Sequence, residues 1–239
     1  MNQMIIQSST PVTLLGGGEA SIKDVEAAMA LAPTCVAADG GAELAALAGV
    51  SLDAVIGDFD SVLPETLALT PSERRHHIAE QDSTDFDKAL RNIDAPAVIG
   101  VGFLGARLDH QLASLNVLLS HPDRACVLLG ASEVVFLCPP AMRLDTVAGD
   151  VVSLFPLAPM SGTSSGLQWE IDGLSLDPMG QTSTSNAATG PITLTMDHPA
   201  MIVMLPRRYL SAVTQALVSA PPSARWPARA GQYKDPTQS

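Results

Sequence analysis

Between Pro11 and Leu137, short apolar runs are separated by helix-period stretches of about ten residues, and this alternation constrains the fold more than any other feature. "VTLLGGG" reads as a strand entering a tight turn, and "SIKDVEAAMALA" as a helix capped by Ser21 with Asp24 three residues on. "TCVAADGG" is a strand and turn, "AELAALAG" a helix ended by Gly49, and "DAVIGDFDS" a strand running into a loop. Further on, "STDFDKALRNI" reads as a helix, "PAVIGVGFLG" as a strand and turn, and "LDHQLASLNVLLS" as an amphipathic helix. "ACVLLG" and "EVVFL" close the series. Strands spaced by helices pair through crossovers, so an α/β fold with mostly parallel βαβ units, Rossmann-like, is expected for residues 1–138.

After Pro139-Pro140 the pattern changes. Residues 143 to 205 are rich in Thr, Ser, Gly and Pro, and "VVSLFPL", "PITLTM" and "MIVMLP" have β-like spacing. Residues 139–220 are therefore expected to form an antiparallel β-sandwich domain. "YLSAVTQALVSA" fits either a strand or a final helix, and residues 221–239 read as a disordered tail.

Composition narrows the possible partners. The formal net charge of −12 leaves no basic stripe for nucleic acid. No apolar run approaches the roughly 20 residues that span a bilayer, and the N-terminal stretch has no basic start or cleavage site, so no leader is expected. Cys35, Cys126 and Cys138 are odd in number and widely spaced, which suits buried thiols in a reducing cytoplasm.

In an open α/β sheet, ligands sit beyond the carboxyl ends of the strands, and the acidic and glycine-rich turns fall there. Asp58 and Asp60, two apart, leave one face if the chain stays extended, and can grip a magnesium ion that also carries phosphates. A plain helix cap is the bland alternative. "EQDSTDFDKAL" adds Glu80, Asp82, Asp85, Asp87 and Lys88; Asp82 or Thr84 would cap the helix, while Asp85 and Lys88 share one face. Arg107, Asp109 and His110 enter the next helix, where Arg107 either clamps a phosphate or pairs with Asp109 on the surface. Asp39, before Gly40 and Gly41, is either a nucleotide-contacting acid or a turn residue. The glycine run at Gly16 lacks the last glycine of G-x-G-x-x-G, where Ser21 stands, and no G-x-x-x-x-G-K-[ST] loop is present.

The ordered series "ADGGAEL", "IGDFDSV", "EQDSTDFDKAL" and "GARLDHQLASLN" resembles the thiamine pyrophosphokinase (thiamine diphosphokinase) family. "SSGLQWEI" and "TSTSNAATGPITLTMDHPAMIV" resemble that family's thiamine-binding domain. The resemblance implies an enzyme that moves pyrophosphate from ATP to thiamine with Mg2+, giving AMP and thiamine diphosphate. It implies a homodimer whose active site borrows the partner's sandwich domain. Asp58, Asp60 and Asp85 would hold magnesium, and Asp39, Gly40, Gly41, Gln81, Lys88 and Arg107 would contact ATP. Asp58, Asp60, Asp85, Lys88, Arg107 and Asp109 would form the catalytic set, with Trp169, Ser185 and Asn186 shaping the thiamine pocket. Where family members often carry Asn after D-G-G-A, this chain has Glu43.

Two other readings fit parts of the pattern. A haloacid-dehalogenase-like phosphatase also uses a D-x-D loop, although after its first strand and followed by Thr or Val, where Ser61 stands here. A thiamine or nucleotide sensor without turnover would keep the pocket alone.

Overall fold

The computed structural model describes residues 4–105 and 107–229. Strands β1 (Ile6–Gln7) and β2 (Val12–Leu15) precede helix α1 (Ile22–Met29), then β3 (Thr34–Ala38), α2 (Gly41–Ala48) and β4 (Ala54–Gly57). They are followed by α3 (Pro64–Ala68), β5 (Arg75–His77), α4 (Asp85–Arg91), β6 (Ile93–Asp94), β7 (Val98–Val101) and α5 (Leu108–Ser120). Strands β8 (Cys126–Leu129), β9 (Glu133–Leu137), β10 (Ala141–Leu144) and β11 (Val151–Pro156) lead to β12 (Gly162–Leu167), β13 (Ser183–Met196) and β14 (Met201–Pro206), and helix α6 (Leu210–Ser219) follows.

The fold is mixed α/β around one large mixed sheet, ordered β10-β13-β11-β14-β9-β8-β7-β2-β3-β4-β5, with β12 added on β13. Pairings among β2, β3, β4, β5, β7 and β8 are all parallel, as helical crossovers require. The apolar runs of β2, β3, β4, β7 and β8 are buried on both faces, which explains why they read as continuous rather than alternating. From β8 onward the pairings are antiparallel. Burial in β10 and β11 now alternates, the period of a strand with one packed face.

Several local readings meet direct counterparts. Ser21 and Asp24 form a full capping box on α1, and Gly49 ends α2 at φ 66°. The ambiguous "YLSAVTQALVSA" is helical, as α6. Cys35, Cys126 and Cys138 are free and buried, and burial pushes the Cys35 and Cys138 thiols up to about 12.

The stretch from 221, expected to be disordered, is structured as far as described. A short turn at Pro222–Ala224 precedes Trp226, whose Nε1 donates to the Cys138 carbonyl at 2.8 Å. Arg225 donates to the carbonyls of Ala220, Leu217 and Val218. An aromatic anchor that finds a carbonyl partner outweighs the Pro- and Ser-rich composition around it. The rest of that expected tail, 230–239, lies outside the described residues.

Phe136 is fully buried in β9, opposite Val127 of β8 and Val203 of β14, where parallel and antiparallel parts join. Phe136→Ala is expected to cost about 3–5 kcal/mol in urea unfolding, with far- and near-ultraviolet circular dichroism melting together. Two separated steps would show the two halves unfolding independently.

Candidate active site

Five turns leave the carboxyl edge of the parallel strands: Gly16–Gly18 after β2, Asp39 after β3, Asp58 after β4, the segment to Gln81 after β5, and Gly102 after β7. Because the strands are parallel and in register, their following residues must gather at one edge. Gly57 ends β4 and is where two turns close on each other. A Cβ there would lie 2.8 Å from the Asp39 Cβ and 3.2 Å from Asp85 Oδ1.

Lys88 is the centre of the group. It lies on α4, is 1% exposed, and its Nζ donates to Asp58 Oδ2 at 2.7 Å and Asp85 Oδ1 at 3.0 Å. Gln81 Nε2 donates to the same Asp58 oxygen at 3.1 Å. Thr84 caps α4 by accepting from the Asp87 amide, and the helix so placed carries Asp85 and Lys88 on one face. Burial works against the Lys88 charge, yet the bonds and charges of Asp58 and Asp85 hold its pKa above the ordinary lysine value. The Lys88 hydrogen bond holds Asp58 below the usual carboxylate range. Burial pushes Asp85 upward in spite of Lys88.

Asp39 is 1% exposed, and its Oδ2 accepts from the Ser61 amide at 3.0 Å. Its Oδ1 is buried without a hydrogen-bond partner. Burial first, then the charges of Asp85, Asp58 and Asp60, push its pKa up. One oxygen from each of Asp39, Asp58 and Asp60 lies within 4.8 Å of the others. Hard oxygens on an acidic edge, with one buried oxygen unsatisfied, fit a divalent cation of the magnesium class.

The backbone of the acidic loop differs from the sequence expectation. Asp58 and Asp60 do not converge through extended backbone, since Phe59 between them is left-handed at φ 65° and the loop doubles back. Asp39, expected to contact ATP, lies in the close carboxylate group, and Asp85, expected to hold metal, is bonded to Lys88 as Asp58 is.

Arg107 and Asp109 pair with each other at 2.5 and 3.1 Å and are 69% and 62% exposed. Among the described residues no hydrogen bond ties them to Asp58, Asp60 or Asp85. Trp169 is 59% exposed, while its backbone is clamped by Asn186, which accepts from its amide at 3.1 Å and donates to its carbonyl at 2.7 Å. Asn186 is itself buried, so it shapes the surface by holding Trp169 rather than by presenting its own side chain. Ser185 is left-handed at φ 57°, its amide donating to Ser153 Oγ.

Sequence reasoning noted Ser61 and Glu43 without giving either a place in the site, and passed over Arg91. Arg91 binds Glu80 and Asp87, and Asp87 in turn meets His121 at 2.6 Å. Arg91 stands four residues after Asp87, a spacing that signals this pair.

Two family models match the chain. "Thiamin pyrophosphokinase, catalytic domain" covers residues 25–129 and "Thiamin pyrophosphokinase, vitamin B1 binding domain" covers 141–201, together more than half of the sequence. A curated relative, thiamine pyrophosphokinase 3 of Oryza sativa subsp. japonica, is 30% identical over 167 residues, 61% of this chain and 62% of the relative. Thiamine pyrophosphokinase 1 of Arabidopsis thaliana is 31% identical over 153 residues, 56% of this chain and 57% of the relative. The matched stretch thus spans about three fifths of these relatives' length. Among solved structures, thiamin pyrophosphokinase from Candida albicans superposes with TM-score 0.69 at 19% identity, covering 84% of this chain and 92% of that one. The Geobacillus thermodenitrificans enzyme gives 0.67 at 21%, covering 82% and 96%. At such identities these two likenesses speak for the fold. With both family models in chain order, the protein belongs to the thiamin pyrophosphokinase family.

Asp39 provides a pH test. Its folded pKa lies above its unfolded value, so its ionisation burdens the fold increasingly as pH rises through the raised value, and not at all well below 3.8. In divalent-free buffer at neutral pH, Asp39→Asn should be more stable than wild type by about 1 kcal/mol, a melting gain of about 2–4 °C. The gain should fade as pH drops below 3.8. A destabilised variant at neutral pH would contradict the strained-carboxylate assignment.

Proposed function

We propose that this protein transfers a pyrophosphoryl group from ATP to the hydroxyl of thiamine, giving AMP and thiamine diphosphate. The observation that carries the reading is the meeting of Asp39, Asp58 and Asp60 beside buried Lys88 at the strand ends, in a chain of this family.

In the reaction, the thiamine hydroxyl oxygen attacks the β-phosphorus, the bond from that phosphorus to the α-phosphate oxygen breaks, and AMP leaves. Such transfers demand positioning and charge neutralisation more than covalent help. Asp58 and Asp60, with Asp39 and Asp85 at their flanks, would hold Mg2+, which when bound neutralises the phosphate oxygens. Lys88 balances Asp58 and Asp85, and Gln81 fixes Asp58. Arg107 is exposed and free to exchange Asp109 for a phosphate. Either Asp85, whose basicity burial raises against Lys88, or Asp109, which Arg107 holds low, would take the hydroxyl proton. Gly40, the N-cap of α2, would let the nucleotide approach the backbone, and Gly41 lets α2 pack against β2 beside it.

The parallel part, residues 1–138, is read as a Rossmann-like ATP-binding domain and 139–220 as a β-sandwich that binds thiamine. Trp169, held by Asn186 next to Ser185, offers an exposed indole for the flat, cationic thiamine rings. The resemblance to this family implies a homodimer where one protomer's Trp169 completes its partner's site. A cytoplasmic location is consistent with the free buried cysteines, and no helix among the described residues is long and apolar enough to cross a membrane. The relatives' names favour neither a phosphatase nor a silent sensor.

The test is incubation with ATP, Mg2+ and thiamine, reading AMP. Stoichiometric AMP and thiamine diphosphate are expected; ADP or free phosphate instead would overturn the reading. Asp60→Asn should lower turnover by about 10²–10³-fold with melting temperature within a few degrees of wild type. Asp58→Asn should lower turnover as much and also lower the melting temperature, since it leaves buried Lys88 with Asp85 as its one carboxylate. Trp169→Ala should raise the thiamine KM roughly tenfold or more while the ATP KM stays within about twofold; an unchanged thiamine KM would remove Trp169 from the pocket.

A further inference from the structure

The acidic loop between Asp58 and Leu63 is anchored unevenly. At its start, Asp58 is fixed from outside by Lys88 and Gln81. Asp60 has no such support among the described residues. Its Oδ1 accepts from its neighbour Ser61 Oγ at 2.8 Å, and its amide donates to Asp58 within the same loop. Its position therefore depends on how the chain beyond it is tied down. Phe59 at φ 65° adds strain that the surroundings must hold in place.

The tie comes from Glu43. Its Oε1 accepts from the Leu63 amide at 2.9 Å and its Oε2 from Thr66 Oγ1 at 2.7 Å. Leu63 is the N-cap of α3 and has no side-chain cap of its own, so Glu43 does from another helix what an acid in the third position of a capping box does from within. Thr66 is buried, so both ends of this clasp sit at a packed position. Glu43 is itself rigidly mounted. It lies in the first turn of α2, and Gly41 presses that turn so closely on β2 that a Cβ would come 2.0 Å from the Leu15 carbonyl oxygen. A continuous path thus runs from the central strand through α2 and Glu43 to the far end of the acidic loop.

We infer that Glu43 is a positioning residue that sets the place of Asp60 in the cation site by clasping Leu63 and Thr66. Both Glu43 oxygens are spent on these bonds, and Glu43 is outside the group of converging carboxylates. The family's usual Asn, one methylene shorter and with a single acceptor oxygen, cannot accept from both donors. The inference rests on the proposed cation site, and it specifies which residue of this chain holds that site open.

The probe is Mn2+, whose binding is read by the loss of its free electron paramagnetic resonance signal, without nucleotide or thiamine. Glu43→Ala should weaken Mn2+ binding about 10–100-fold, the range for loss of an outer partner. Glu43→Gln keeps an acceptor for the Leu63 amide and can donate from Nε2 to Thr66 Oγ1, so it holds both contacts without the charge and should restore affinity to within about threefold of wild type. Thr66→Val removes one of the two bonds and should fall between them. The AMP assay should follow the same order in its Mg2+ requirement, with the thiamine KM within about twofold throughout. Equal binding by wild type and Glu43→Ala would overturn the inference while leaving the cation site standing. Gln as weak as Ala would also overturn it, since Glu43 would then act by charge alone. Absence of Mn2+ binding by wild type would remove the cation site itself. Should Glu43→Ala not fold, Thr66→Val decides on the same readouts, and wild-type affinity there refutes the clasp.

Discussion

The buried ion cluster of Lys88 with Asp58 and Asp85 is the constraint on which the rest of the site depends. An ammonium group with 1% exposure is tolerable only where carboxylates replace its lost hydration, and here two do so. The cluster joins the end of β4 to α4, elements separated by thirty residues in sequence. That joint brings the loop after β4 to the edge where Asp39 leaves β3. Negative charge nevertheless exceeds positive, with Asp39 and Asp60 uncompensated by Lys88. The fold therefore concentrates acid where a cation is to be received, and Asp39 bears the cost in a raised pKa and an unpartnered oxygen.

Backbone strain falls in the same places. Among the described residues, the non-glycine positions with positive φ are Asp39, Phe59 and Ser185. Asp39 and Phe59 flank the acidic site, and Ser185 adjoins the asparagine that holds Trp169. Left-handed backbone at residues with a Cβ persists only where the surroundings over-determine it. Around Asp39 and Phe59 the holding is done by Ser61, Lys88, Gln81 and Glu43; around Ser185 by Ser153 and the Trp169–Asn186 clamp.

Much of this was legible in the sequence because period and position are local signals. The alternation of strand and helix marked the parallel strands, and the placing of Asp39, Asp58 and Asp85 after strands or at a helix start marked the edge where they meet. The Ser21–Asp24 box and Gly49 could be read from a few adjacent residues. What stayed hidden was set by partners far along the chain. The reversal at Phe59 follows from the holding of the whole loop, so D-x-D spacing suggested extension instead. Glu43 looked like an odd substitution until Leu63 and Thr66 stood against it. Trp226 lies in a stretch whose composition suggests disorder, and only its packing at Cys138 says otherwise. The exposed Arg107–Asp109 pair could not be told from a phosphate clamp, because pairing and clamping use the same residues.

The central claim, that acids from separate turns converge on one divalent ion escorting a polyphosphate, is tested most directly by a crystal grown with Mn2+ and a non-hydrolysable ATP analogue. The account predicts an anomalous peak touching oxygens of Asp58 and Asp60, with Asp39 beside it and the analogue's phosphates on its open side. An ordered analogue with no ion among these carboxylates, or an ion bound elsewhere, would contradict it.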